Sequence, residues 1–169
     1  MKNLFLFLIS LTTVSCTSFK EVRVIPVKTF QIRTTSYCGK FERDHIKYGN
    51  KTAIGTPLKK DKSVAADLSR IPLGTKLKIG NIIYQVDDYG KALVMRPLDE
   101  PPTVDIYKTT RKQMNKWGVK FFTDVEIIEW GSFEESARLL KDRLHYSHCR
   151  LMYMRIMKNI SINNRNCLL

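Results

Sequence analysis

Between Val64 and Tyr107 the chain is a succession of short apolar runs cut by turn-forming residues, and an aspartate ends or interrupts three of them. Ser63–Ala66 leads to Asp67 before the turn Ile71-Pro72-Leu73-Gly74-Thr75, and Ile82–Val86 leads to Asp87 and Asp88. Val104-Asp105-Ile106-Tyr107 holds the third. Runs of four or five residues rich in Val, Ile and Tyr are too short for stable helices and read as strands. Gly80-Asn81, between Ile79 and Ile82, is a hairpin signal. A carboxylate flanked by strand formers is costly to desolvate unless it has partners or a task. Asp67, Asp88 and Asp105 are therefore expected to form a carboxylate cluster. Gly90 is expected to supply, beside Asp88, a backbone conformation that other residues resist.

The flanking segments extend the pattern. Thr29–Tyr37 reads as a strand, residues 38–51 as a charged surface loop, and Thr52–Thr56 as a short strand ending in a glycine turn. Residues 110–117 read as a helix capped by Thr109 and closed by Gly118. Asp124–Trp130 is the last strand, and Trp117 and Trp130 are expected in the core. Ser132, with Glu135 three residues on, caps a helix over 133–144. Past His145 the chain is basic and apolar together, which suits a membrane-surface helix or, the reading favoured here, a poorly ordered extension. Short strands with close-spaced turns predict a small β-barrel or sandwich.

With 169 residues, 43% of them apolar, the chain has room for one domain with its own core. Its net charge of +13 implies a polyanionic surrounding, either nucleic acid, an anionic membrane or a cell wall. There is no helix-turn-helix pattern, zinc-finger spacing or aromatic-rich RNA-binding strand, so nucleic acid is not the expected partner. Met1-Lys2-Asn3 followed by Leu4–Leu11 and Thr12-Thr13-Val14-Ser15-Cys16 has the form of a secretory signal, too short to span a membrane comfortably. Small residues before Cys16 resemble a lipobox, although Thr13 stands where leucine is usual. After export, Cys38, Cys149 and Cys167 would meet oxidising conditions in which one pair, such as Cys38 with Cys149, can bridge. The scattered His45, His145 and His148 have no metal-ligand spacing, and no metal or cofactor is expected.

Taken in order, Thr35-x-Tyr37, Thr52-Ala53-x-Gly55, Ala65-x-Asp67-x-x-x-Ile71-Pro72-Leu73-Gly74-Thr75, Asp88-x-Gly90-x-Ala92, Val104-Asp105-Ile106-Tyr107 and Trp117-Gly118 resemble the 3D (three-aspartate) domain. The resemblance spans residues 31–131, with a signal over 1–16, a tether over 17–30 and a basic, helical or partly disordered extension over 132–169. It implies a six-stranded double-psi β-barrel, mainly β, with one or two short helices. It also implies an activity like that of the membrane-bound lytic transglycosylase A family, which cleaves peptidoglycan between N-acetylmuramic acid and N-acetylglucosamine and leaves a 1,6-anhydro sugar. Tyr89 and Lys91 stand where the family has threonine and glycine, and the stretch between Asp88 and Asp105 is longer.

Such a reaction needs one carboxyl group, which protonates the glycosidic oxygen and then accepts the proton of the sugar's own C6 hydroxyl. The acid must hold its proton near neutral pH, which an apolar setting and a nearby like charge both favour. Asp105, between Val104 and Ile106, is the expected acid/base, in agreement with the family position. Asp88 is its expected coupled partner, and Asp67 completes the cluster. Tyr37 is a candidate for stacking on a sugar ring, and Tyr89, Gly90 and Lys91 belong to the expected groove. The expected partners are peptidoglycan and, through Cys16, a membrane. A glycan-binding barrel without catalysis, of the rare lipoprotein A or expansin-like kind, is the alternative.

Overall fold

The computed structural model describes residues 29–38 and 50–166. The expected signal segment with Cys16, nearly all of the expected tether, most of the loop expected over 38–51, His45 and Cys167 lie outside the described residues. Six strands, β1 (Thr29–Tyr37), β2 (Ser63–Ala66), β3 (Lys76–Ile79), β4 (Ile82–Tyr89), β5 (Thr103–Tyr107) and β6 (Lys120–Glu129), close into a barrel in the order β1-β5-β2-β4-β3-β6. β1 and β5 run parallel, as do β2 and β4, and the remaining pairs are antiparallel. Among the described residues four helices accompany them: α1 (Lys91–Val94), α2 (Arg111–Trp117), α3 (Phe133–Lys141) and α4 (Ser147–Asn166).

Alternation along the strands decides what fills the barrel. Ile32, Val64, Ala66, Leu77, Tyr84, Val86, Val104, Ile106 and Val125 point inward and are almost wholly shielded. The β3–β4 hairpin pairs Ile79 with Ile82 around Gly80-Asn81, and Gly80 takes the positive φ of 59° that this tight reversal requires. At the Pro72 turn, Gly131 passes so close to the backbone that an added Cβ would lie 1.9 Å from the Leu73 carbonyl oxygen. Ser132 N–H donates to that same oxygen at 3.0 Å. The start of α3 is thereby tied to the barrel, and the Ser132 side chain caps it by accepting from Glu135 N–H at 3.0 Å.

The segment after residue 132 does not stand apart. Ala137 and Leu140 of α3 and Cys149, Met152 and Ile156 of α4 share one continuous apolar core with Leu68, Ile71, Leu73 and Val94. Side chains of this size contribute about 1.5–3 kcal/mol each on full burial. Among the described residues no helix is long and apolar enough to cross a membrane.

Four local expectations are corrected. Residues 52–56 form a turn instead of a strand: Thr52 N–H donates to the Thr56 carbonyl, Gly55 N–H to the Thr52 carbonyl, and only Lys51 and Pro57 bridge. Those bonds are satisfied within the segment, which leaves few to pair with a sheet. The cap of α2 is Thr110, whose hydroxyl accepts from Gln113 N–H, while Thr109 donates to the Gln113 side chain. Trp130 is 52% exposed and stacks on Phe30, and Trp117 is only partly buried, so neither sits in the barrel core. Cys38 and Cys149 are both buried free thiols; one lies near Tyr107 and the other near Tyr89.

Candidate functional site

Strand register brings two of the three aspartates into one row. Asp105 pairs with Thr35 of β1 on one side and Ala65 of β2 on the other, and Ala65 pairs in turn with Asp88 of β4. Paired residues on adjacent strands face the same way, so Thr35, Asp105, Ala65 and Asp88 lie on the face opposite Val104 and Ile106. Two strand spacings place the Asp88 and Asp105 backbones about 10 Å apart.

Asp88 belongs to this row because β4 carries a bulge. Val64 pairs with Val86, yet the next residue, Ala65, pairs with Asp88, so Asp87 is the extra residue. With regular alternation Asp87 would stand opposite Ala65, and Asp88 would stand opposite inward-facing Ala66. The displaced Asp87 is buried and accepts hydrogen bonds from Ser63 Oγ at 2.7 Å and Val64 N–H at 3.2 Å. Burial pushes its carboxyl above the usual range, and those two donors oppose the shift.

Burial, opposed by the Tyr89 N–H and assisted by the charge of Asp87, raises the Asp88 carboxyl to about 6. Its Oδ1 accepts from Tyr89 N–H at 2.9 Å and its Oδ2 from the Tyr37 hydroxyl at 3.3 Å, with a further backbone donor at Ala53. Thr35 Oγ1 donates to Asp105 Oδ1 at 2.7 Å. The Tyr37 hydroxyl feels Asp88, Asp87 and Asp105 together; burial first, then these charges, keep it protonated and hence a donor. Its ring is anchored against Tyr107 at a centroid distance of 5.5 Å.

Asp67 lies elsewhere in contact terms. Its Oδ1 accepts from the N–H and Oγ of Ser69 at 3.0 and 2.6 Å, and its Oδ2 from Arg155 of α4 at 3.1 Å. Arg155 also donates to the Val94 carbonyl at 3.3 Å. Asp67 therefore caps the 67–71 turn and fastens α4 to it, and the acidic companion of Asp88 is Asp87. Gly90 is also corrected: its φ of −142° is ordinary extended backbone, and an added Cβ would meet only the Leu93 side chain at 3.4 Å. Lys91 is exposed at the start of α1.

Tyr89 reaches the other way, toward the segment between α3 and α4. Arg143 donates from Nη1 to the Tyr89 hydroxyl at 3.2 Å and from Nη2 to the Ala53 carbonyl at 2.7 Å. Burial, and then Cys149, raise the Tyr89 hydroxyl above its ordinary range. The Ala53 peptide is thus held at its oxygen by Arg143 while its N–H serves Asp88. Sequence reasoning kept Asp87 only as a fallback on the other side of its strand, and it gave Thr35, Ala53 and Arg143 no role in the site. Thr35 and Ala53 had a local signal, in Thr35-x-Tyr37 and Thr52-Ala53-x-Gly55; Arg143 had none, because its role depends on how α3 returns to the barrel.

Among the described residues no group of histidine, cysteine, aspartate and glutamate side chains is placed to hold a metal ion. No family model matches the chain, and no curated protein matches it.

Proposed function

We propose that this face of the barrel cleaves the glycan strand of peptidoglycan as a lytic transglycosylase, with Asp105 as the acid/base. The observation that supports it is the row Asp105–Ala65–Asp88, which sets two carboxyl-bearing residues on one outward face of the barrel. In this reading Asp105 donates its proton to the oxygen linking N-acetylmuramic acid to N-acetylglucosamine as the C1–O bond breaks. The ionised carboxylate then takes the proton of the C6 hydroxyl as O6 bonds to C1. The 1,6-anhydro ring closes, Asp105 regains its proton, and no water is consumed. Asp88 supports the positive charge that develops on the sugar ring. Tyr37 holds Asp88 by its hydroxyl, and Tyr89, Gly90 and Lys91 border the same end of β4.

The two parallel pairs, β1/β5 and β2/β4, joined through antiparallel β2 and β5, support a double-psi arrangement of the barrel. The proposal includes export by the segment 1–16, lipid attachment at Cys16 and attraction of the +13 chain to the anionic envelope.

A glycan-binding barrel without catalysis is the second reading. It is favoured by the ring of Tyr37, which lies on the same face as Thr35 and Asp105 and whose hydroxyl meets Asp88. Such a ring suits a sugar face whether or not a bond is cut. Digestion of purified sacculi with wild type and Asp105→Asn, read by mass spectrometry, separates the readings. Anhydro-muropeptides from wild type alone support the transglycosylase, and ordinary reducing ends would make it a hydrolase. Binding by both proteins without products would leave the glycan-binding barrel.

A further inference from the structure

A second concavity lies at the end of β5, beyond the carboxylate row. It has a volume of about 250 Å³, and Lys60, Asp61, Lys108, Lys116, Trp117 and Lys120 line it. Sites that enclose a whole organic ligand run from about 300 Å³ upward, so this one suits a small ion or one charged portion of a larger molecule. Four ammonium groups meet a single carboxylate there, an imbalance of three positive charges.

The floor of the concavity is built in advance. Trp117 is fixed by its indole N–H, which donates to the buried Thr34 hydroxyl at 3.2 Å. The ammonium groups of Lys108 and Lys120 lie 4.0 and 4.1 Å from its ring centroid, within cation–π range. The Lys108 side chain is only 8% exposed and is paired with Asp61. Its backbone is fixed as well, since Lys108 N–H donates to the Tyr37 carbonyl at 2.8 Å and Asp61 N–H to the Tyr107 carbonyl at 3.2 Å. Asp61 holds a positive φ of 52°, sparsely populated for a side-chain-bearing residue, and in that conformation its carboxylate meets Lys108. Lys116 and Lys120 are exposed at the rim, and among the described residues neither has a carboxylate at ion-pair distance.

We propose that this concavity is a binding site for a compact multivalent oxyanion, one that presents two or more phosphate or carboxylate groups within a few ångströms of one another. Converging ammonium groups repel one another, and a polyvalent anion relieves that repulsion where monovalent counter-ions do so only by screening. Lysines act as point charges and do not demand the planar bidentate geometry that arginine imposes, so phosphate and carboxylate share this chemistry. The rim lysines supply the attraction, and the Trp117–Lys108–Asp61 floor supplies a preformed surface. Nothing in this site uses Asp88 or Asp105, and it stands or falls independently of glycan cleavage.

Trp117 is the reporter. In a Trp130→Phe background its fluorescence is followed while inorganic diphosphate, or separately tricarballylate, is added at constant ionic strength. The expected result is a saturable change with at least one of them, weakened by added salt and weakened at least tenfold by Lys116→Gln with Lys120→Gln. The anion that binds tighter identifies the phosphate or carboxylate source. Both substitutions lie on exposed side chains, and an unchanged far-ultraviolet spectrum checks the fold. The proposal is overturned if neither anion gives a saturable change beyond that of sodium chloride, or if the double variant binds as wild type does.

Discussion

Asp88 and Asp105 flank Ala65 in a single register row, and Asp88 reaches that row only because Asp87 bulges out of β4. Deleting Asp87 would remove the extra residue and leave Asp88 opposite Ala65 in regular pairing, without the neighbouring charge that helps to raise its carboxyl. The Asp88 titration is expected to move down while its side chain stays on the same face. A side-chain carbon titration of the deletion variant checks this, and an unmoved or raised titration would mean that the Asp87 charge does not act on Asp88.

The Asp88 carboxyl is expected to titrate near 6, readable from its side-chain carbon shift. An aspartate in the unfolded chain titrates near 3.9, so the folded protein holds this proton more tightly. The contribution of Asp88 therefore favours the fold below about pH 4 and is lost as pH rises through about 6. Asp88→Asn, neutral throughout, should reduce the loss of stability across that window, by on the order of 1–3 kcal/mol. A carboxyl titrating near 4, with the variant tracking wild type at every pH, would refute the buried setting.

Arg143→Met keeps the length of the side chain and removes both donors, to the Tyr89 hydroxyl and the Ala53 carbonyl. The Ala53 N–H favours ionised Asp88, so a loosened Ala53 should move the Asp88 titration upward, by about half a unit to one unit. A merely structural arginine would lower the melting temperature and leave that titration where it was.

Because α3 and α4 share the barrel's core, Leu140→Ala or Met152→Ala should each cost about 2–5 kcal/mol in urea unfolding. An extension that stood free of the barrel would allow both changes at almost no cost.

Two glycines should behave oppositely. Gly131→Ala drives a Cβ into the Leu73 carbonyl and should cost at least about 1–3 kcal/mol. Gly90→Ala meets only a flexible leucine at an ordinary contact distance and should stay within about 0.5 kcal/mol of wild type. Thermal melts of the two variants, run side by side, distinguish a packing glycine from a tolerant one.

Much of the barrel was legible because its determinants are local. The strand limits at Thr29–Tyr37 and Ser63–Ala66, the Gly80-Asn81 hairpin and the Ser132 cap follow from alternation, turn chemistry and capping within a few residues. The turn at 52–56 was misread because Thr52-Ala53-Ile54 has strand composition while its hydrogen bonds close on themselves. Trp130 was misread because aromatic character promises burial without saying which way the end of a strand faces.

The sequence alone determined that strands would carry aspartates, and which aspartates stood in strand-like surroundings. Tertiary structure decided which carboxylates share a face and what holds each of them. Register and bulge belong to the pairing of strands far apart in the chain, so the sequence could single out Asp88 but could not show that a bulge at Asp87 keeps it in the row. Asp67 left the cluster because Arg155, 88 residues away, supplies its counter-charge. Such assignments depend on distances across the closed barrel and its two packed helices, and the order of residues along a chain does not encode those distances locally.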